Sequence, residues 1–547
     1  MRIALAQNNY HIGNFDFNTQ KIIQSIREAK EQGADLVVFA ELSVCGYPSA
    51  DLLEYDEYID RCYTAINEIA GHCHGIAAIV GGPDRNTNPT GKNLFNAAFF
   101  LEEGKVKQIY HKGLLPDYNI FDEYRYFEPA KEFNIIEYKG KRIALTICED
   151  IWNLTHKPMY PDNPMDTLIK QQPDFMVNIG ASPFAWERTN ERRTMFSQNS
   201  KKYKLPLFYV NQVGAQTELV FDGGSMVINA KGEILRELEN FKEDLQVFNL
   251  ETLGNMHGEK PASEPDTANK TTNIYQALVL GVKDYFGKMG FEKAILGLSG
   301  GIDSAVTMVI AAHALGAKNV LGVLMPGPFS SDHSVTDARH LAENLGCPYH
   351  TLSVSETTQT FEKNLKPFFG DLPFNIAEEN IQARARAVYL MALSNKFGHM
   401  LLNTSNKSEA AVGYGTLYGD MCGGLSVLGD VYKTDVFKLA QYINREQEII
   451  PVNSIIKPPS AELRPDQKDS DSLPEYDILD ELLYQYIEEQ KGPEELINDG
   501  FDKSLVQRVL KLVNNSEYKR FQTAPILRVS RKAFGGGRKM PLVARYF

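Results

Sequence analysis

Residues 293–304, KAILGLSGGIDS, decide how the second half of this chain is read. Residues 294–298 are a short apolar run, the length of one buried parallel strand. The run passes into Ser299-Gly300-Gly301-Ile302-Asp303-Ser304 and then into residues 305–315, alanine-rich with the apolar spacing of a helix. A strand, a glycine-rich turn and a helix make an anion site. The glycines let the backbone approach a ligand, and the unpaired N–H groups at the helix start point at it. Ser299 and Ser304 add hydroxyl donors. A carboxylate beside a phosphate repels it unless a cation lies between them, so Asp303 reads as a ligand of Mg2+. The pattern is neither G-x-x-x-x-G-K-[ST] nor G-x-G-x-x-G.

Working outward, residues 320–325 form a second strand and end in PGPFSS, with a helix expected over 334–345. Residues 349–352 form a third strand. ENIQARAR (379–386) opens a helix with Gln382, Arg384 and Arg386 on an otherwise apolar run, and a buried Arg calls for an anion. A fourth strand, 399–402, ends in NTSNKSE (403–409). Glu409 is the natural second carboxylate for a cation at Asp303. The run 413–430 is glycine-rich and Lys433 follows it. In a doubly wound sheet a nucleotide lies across the C-terminal strand ends, which puts Leu324 and Met325 beside a base.

The first half alternates short strands and helical stretches, an α/β layered pattern. Functional side chains in such folds sit just past strand ends. Glu41 ends LVVFAE, Cys148 ends IALTICED, and Lys112 follows the strand 106–110. Singly, a Cys there is usually a small core residue, a Glu a helix cap and a Lys a solvated charge. Together they make a workable amidase. Lys112 would favour the thiolate of Cys148 and stabilise an oxyanion. Glu41 would take the thiol proton and later activate water, with the Glu149 N–H completing an oxyanion hole. His72-Cys73-His74 lacks the second ligand cluster that a metal site needs.

At 547 residues the chain exceeds one core and predicts at least two domains. A net charge of −13 disfavours nucleic acid. Six cysteines without a CxxC pair fit a reducing compartment, and no apolar run reaches membrane-span length, so the expected location is the cytoplasm. Residues 249–272 are polar, contain Pro261 and Pro265, and read as a linker between domains 1–248 and 273–547.

SGGIDS resembles the ATP pyrophosphatase signature. FAELSVCGYP, HKGLLPDY and LTICEDIW together resemble the nitrilase superfamily, which implies an α-β-β-α sandwich and the order Glu41, Lys112, Cys148 for base, second triad member and nucleophile. In the glutamine-using members, Tyr118, Ser182 and Arg188 match the residues that hold glutamine. SGGIDS, ENIQARAR, NTSNKSE, the GDMCGGLS loop with VYKTDV, and residues 458–480 look like the NAD synthetase family, whose second domain is a doubly wound parallel-sheet ATP pyrophosphatase (adenine nucleotide α-hydrolase-like). The joined halves resemble its glutamine-dependent members. That resemblance implies ATP at Gly297, Leu298, Ser299, Gly300, Gly301, Ile302, Asp303, Ser304, Thr404 and Lys433, and Mg2+ at Asp303 and Glu409. It implies nicotinic acid adenine dinucleotide at Asn380, Glu409, Tyr414, Gly415, Thr416, Leu417 and Lys519, and a homo-oligomer. The implied activity is amidation of that acid through an adenylate with ammonia from glutamine; the alternative is the same chemistry on another carboxylate or nucleobase.

Overall fold

A computed structural model describes residues 1–154, 157–255, 258, 267–465, 467, 469 and 473–545. The chain divides into two compact units, Met1–Asp266 and Thr267–Phe547.

The first unit holds two six-stranded sheets. One is ordered Asp244–Asn249, Arg2–Gln7, Leu36–Val38, Ala77–Arg85, Leu94–Glu102, Lys105–His111. Its second to fourth strands are parallel and the rest antiparallel. The other is ordered Ile234–Glu237, Met226–Ile228, Leu207–Asn211, Phe175–Gly180, Lys141–Ile147, Ile136–Tyr138. Alternation along Arg2–Gln7 divides the interior. Ile3 and Leu5 join Ile143, Ile147, Val177 and Phe208 between the sheets, while Ala4 and Ala6 face the layer of helices Phe15–Glu31 and Asp56–Ala70. Met165, Leu168 and Phe196 cover the outer face of the second sheet. Both faces of every central strand are therefore apolar, and the layers run α-β-β-α. Helix Phe15–Glu31 buries Ile22, Ile23, Ile26 and Ala29, the spacing visible in the sequence, and Asn14 caps it by accepting from the Phe17 N–H.

The second unit is built on a five-stranded sheet ordered Tyr349–Thr351, Val320–Leu324, Ala294–Leu298, Met400–Asn403, Leu425–Ser426, parallel throughout. Helices Thr267–Met289, Ile302–Leu315 and Lys433–Ile443 pack together on one face and Ile376–Phe397 lies on the other. Chain order reverses between Ala294–Leu298 and Met400–Asn403, and a crevice opens beyond the strand ends at such a point. Helix Thr267–Met289 begins inside the stretch read as a linker, because Ile274, Ala277, Leu278 and Val282 supply a buried helical face; residues 259–266 lie outside the described residues. The glycine-rich run 413–430 contributes an edge strand, Leu425 pairing with Leu402. Residues 487–515, mute in the sequence, carry helix Lys503–Asn515, which buries Val506, Val509, Leu510 and Val513 in a separate helical core.

Candidate active sites

In the first unit, Lys141–Ile147 runs straight into a 3-10 turn over Cys148–Ile151. Cys148 takes φ 43°, the left-handed region that a β-carbon disfavours. Asp150 holds the turn. Its Oδ2 accepts from the Ile147 N–H at 2.9 Å, and its Oδ1 accepts from the N–H groups of Gly113 and Leu114 at 2.9 and 2.8 Å. The segment carrying Lys112 is thereby tied to the segment carrying Cys148. Glu41 sits on a turn packed hard against Ala77–Arg85: a β-carbon on Gly81 would lie 2.4 Å from the Leu42 nitrogen.

Lys112, fully buried, donates to Glu41 Oε1 at 2.6 Å and to both oxygens of Glu123 at 2.9 and 2.8 Å. Asn96 Nδ2 donates to Glu41 Oε1 at 2.7 Å and to Glu123 Oε2 at 3.3 Å. The Ala181 N–H donates to Glu41 Oε2 at 3.0 Å, and the Tyr47 hydroxyl to Glu123 at 3.0 Å. Burial works against the Lys112 charge, but Glu123 and Glu41 more than reverse this and raise its pKa. Burial lifts Glu123 to about 7 in spite of Lys112. Burial also pushes the Cys148 thiol well up; Glu41 adds to this and Lys112 opposes it. The expectation that Lys112 favours the thiolate holds in direction, yet desolvation outweighs it and the net shift is upward.

Tyr118 and Arg188 come together beside this centre. The Arg188 guanidinium lies 6.0, 5.8 and 5.8 Å from the rings of Tyr118, Phe121 and Trp152. The buried Ser182 lies just past Phe175–Gly180, fixed by Asn211, which accepts from the Ser182 N–H at 2.8 Å and donates to its carbonyl at 3.1 Å. The sequence reading missed Glu123, Asn96 and Asp150. Asp150 stands in the motif CED and was within reach; Glu123 shows only as one acid among the aromatics of FDEYRYF.

In the second unit the crevice is a cleft of about 570 Å³. Gly297, Leu298, Ser299, Gly301, Ile302, Asp303, Ser304, Thr404 and Lys433 line it, as do Leu324 and Met325. Gly300 lies behind the lining, with φ +77° and the Ser334 carbonyl 2.2 Å from where a β-carbon would stand. Lys433 Nζ donates to Asp303 Oδ2 at 2.5 Å and to Glu409 Oε1 at 3.2 Å. Asn406 joins the same two residues: its Nδ2 donates to Asp303 Oδ1 at 2.9 Å, and its Oδ1 caps helix Lys407–Val412 by accepting from the Glu409 N–H at 3.0 Å. Burial lifts Glu409 to about 8, Asp303 and Asp469 adding to it against Lys433. Among the described residues no three His, Cys, Asp or Glu side chains stand close enough together to enclose a metal. Two carboxylates on one cation are the donor set of an ion that takes its other ligands from phosphate and water.

Glu409 and Tyr414 also line the cleft. Asn380, Thr416, Leu417 and Lys519 do not line it; they brace the loop beside it. Thr416 donates to Asn380 Oδ1 at 2.6 Å, Lys519 Nζ donates to the carbonyls of Gly413 and Gly415 at 2.8 Å each, and Arg384 donates to the Leu417 carbonyl at 3.2 Å. Arg384 is thus exposed and paired with backbone, whereas Arg386 faces the cleft.

Two family models match the chain, carbon-nitrogen hydrolase over residues 2–252 and NAD synthase over residues 274–523. A glutamine-dependent NAD(+) synthetase of Synechocystis sp. is 46% identical, over 100% of this chain and 99% of its own length. The enzyme of that name from Acinetobacter baylyi is 44% identical over 99% and 98%. The solved structure of glutamine-dependent NAD+ synthetase from Acinetobacter baumannii, in complex with adenosine diphosphate, is 40% identical with a TM-score of 0.78, covering 99% of this chain and 98% of that one. The likeness runs from end to end in each case, and the chain belongs to the glutamine-dependent NAD(+) synthetase family.

Proposed function

We propose that this chain makes NAD+ by amidating nicotinic acid adenine dinucleotide, activating the acid with ATP and drawing ammonia from glutamine. The observation that carries this reading is the end-to-end likeness to glutamine-dependent NAD(+) synthetases. Residues 1–248 are the glutaminase, 249–272 the connection and 273–547 the synthetase.

In the glutaminase, Tyr118, Ser182 and Arg188 hold glutamine with its amide carbon at Cys148. The sulfur attacks as Glu41 removes its proton. A general base serves here because burial raises the Cys148 thiol against the pull of Lys112. Lys112 and the Glu149 N–H take up the charge on the oxyanion. Glu41 returns the proton to the departing ammonia, then activates water to release glutamate from the thioester. Glu123 is the second carboxylate that holds the Lys112 ammonium, and Asn96 bridges it to Glu41.

In the synthetase, the loop Gly297, Leu298, Ser299, Gly300, Gly301, Ile302, Asp303, Ser304 with Thr404 and Lys433 holds ATP. Asn380, Glu409, Tyr414, Gly415, Thr416, Leu417 and Lys519 form the dinucleotide site. The acid's carboxylate attacks the α-phosphorus and pyrophosphate leaves. Ammonia then displaces AMP, a far better leaving group than hydroxide. Asp303 and Glu409 are the residues that would hold Mg2+, whose charge offsets that of the phosphates. We further infer a homo-oligomer and a cytoplasmic location. Exposed Phe368, Leu372, Ile376 and Val388 around helices Ser355–Phe369 and Ile376–Phe397 support the first. Six free cysteines, and the absence among the described residues of a helix long and apolar enough to cross a membrane, support the second.

The test is NAD+ formation from the dinucleotide, ATP and Mg2+ with either glutamine or ammonium, wild type beside Cys148→Ala. The wild type uses both nitrogen sources and the variant only ammonium. If no AMP forms with this acid, the reading of the cleft fails.

A further inference from the structure

Helix Arg188–Tyr203 docks mainly through polar groups. It buries Thr189, Arg192, Phe196, Asn199, Ser200 and Tyr203, and only two of these carry rings. Arg192 is 3% exposed, and its two terminal nitrogens donate to the two oxygens of Asp222 at 2.9 and 2.6 Å. A buried pair of this kind adds little stability over two apolar side chains of the same volume. What it supplies is geometry. Two parallel charge-assisted bonds fix the rotation and height of the helix, where apolar packing tolerates a slide.

The acid of that pair opens the segment Asp222-Gly223-Gly224-Ser225, which also holds the support of Ser182. Asn211 fixes Ser182 through both of its backbone groups. The same Asn211 amide donates to the Gly223 carbonyl at 2.9 Å, and the Asn211 N–H donates to Ser225 Oγ at 3.0 Å. Gly223 and Gly224 are both left-handed, with φ +71° and +62°. A β-carbon would stand 2.3 Å from the Gln7 side chain at Gly223 and 2.8 Å from Arg192 Nη2 at Gly224. Gln7 in turn accepts from the Ser225 N–H at 2.9 Å. The segment is thus held rigid, with the Ser182 support on one side of it and Arg192 on the other. Farther along, the helix is tied to the nucleophile's turn, because Asn199 donates to the Ile151 carbonyl at 2.8 Å. Arg188 is the first residue of this helix, one turn before Arg192.

We propose that the Arg192–Asp222 pair sets the place of Arg188 relative to Ser182 and Cys148, and so sets the distance between the carboxylate and the amide of the glutamine that the centre holds. This rests on the glutaminase reading. Arg192 is a positioning residue: its terminal nitrogens are engaged by Asp222, and it acts on the substrate through Arg188.

The experiment is a double-mutant cycle on the full-length chain. Glutamine hydrolysis is measured for wild type, Arg192→Lys, Arg188→Ala and the two together. Lysine keeps the charge at 192 but cannot make both bonds. With Arg188 present, Arg192→Lys should lower kcat/KM about tenfold, chiefly through KM, since Arg188 meets the end of the substrate away from the reacting carbon. With Arg188→Ala in place, the same change should cost less than about twofold. Alkylation of Cys148 by iodoacetamide, read on its peptide by mass spectrometry, should stay within a fewfold throughout, because Asp150 holds that turn. Equal losses in both backgrounds, or a loss in neither, overturn the proposal. A Cys148 whose reactivity falls in step with kcat/KM marks a general folding defect and overturns it too. If Arg192→Lys does not fold, Asp222→Glu, which keeps the charge and moves it by one methylene, goes through the same cycle. A wild type inactive on glutamine overturns the glutaminase reading, and this proposal with it; an active wild type with equal losses in both backgrounds overturns this proposal alone.

Discussion

Replacing Lys112 by Met removes one positive charge from between two buried carboxylates. Lys112 is fully buried, and the oxygens it meets, on Glu41 and Glu123, lie 2.6–2.9 Å from its nitrogen. Breaking a buried ion pair by deleting one partner costs about 3–5 kcal/mol. For a unit of this size ~1 kcal/mol shifts the melting point by about 2–4 °C, so the first unit's transition should fall by roughly 6–20 °C near pH 8. The shift has a definite pH dependence. Glu123 already sits near 7 with the lysine present; without it, Glu123 holds its proton to higher pH still. A carboxyl whose folded pKa lies above its unfolded value binds more protons when folded, so stability falls as pH rises from the unfolded value through the folded one. The variant's deficit should therefore be small near pH 5 and still growing above pH 7. Calorimetry of the full chain at pH 5.5, 7 and 8 reads this, with the second unit's transition as internal reference. Adding Glu123→Gln to Lys112→Met should restore part of the loss at pH 8 and little at pH 5.5. A shift under about 2 °C, or one equal at both ends of the range, would refute the claim that Glu123 depends on Lys112 for its charge.

Gly300→Ala puts a β-carbon where the Ser334 carbonyl lies 2.2 Å away and at a positive φ, so the loop must move; the KM for ATP should rise at least tenfold in the ammonium-driven reaction while glutamine hydrolysis is unaffected. Asn406→Ala removes both the donor to Asp303 and the cap of the helix bearing Glu409. It should cost about 1 kcal/mol of stability, and steady-state kinetics should show a several-fold fall in synthetase kcat/KM. Val388→Glu on the exposed face of Ile376–Phe397 should lower the mass found by analytical ultracentrifugation; an unchanged mass would remove that face from the assembly.

Much of this architecture was legible because it rests on local rules. The Lys293–Ser304 stretch contains a strand, a turn needing a positive φ and a helix start, each with its own residue signature, and the structure assembles them in that order. Glu41, Lys112 and Cys148 stand at strand ends, a position that reads from apolar runs alone. The residues that were missed act across distance. Glu123 meets Lys112 by way of a loop without periodicity, and Asn96 lies mid-strand, its function set by neighbours 55 and 27 residues away. The pull of Lys112 on the Cys148 thiol could be read because charge can be counted in a sequence, whereas the opposing desolvation belongs to the folded interior. Lys519 and Asn380 brace a loop beside the cleft, a contact that no spacing encodes.

The first sheet has a further consequence, for the order in which the protein is made. Strand Arg2–Gln7 pairs with Leu36–Val38 on one side and with Asp244–Asn249 on the other. While the ribosome is still producing the middle of the unit, an apolar strand stands with one edge unpaired, open to other nascent chains. Closure of this sheet thus waits until residues 244–249 have been made, although Glu41 and Cys148 come long before them in the chain. Ribosome-bound chains stalled near residue 240 should be protease-sensitive and engage holding chaperones, whereas chains released after residue 255 should resist digestion.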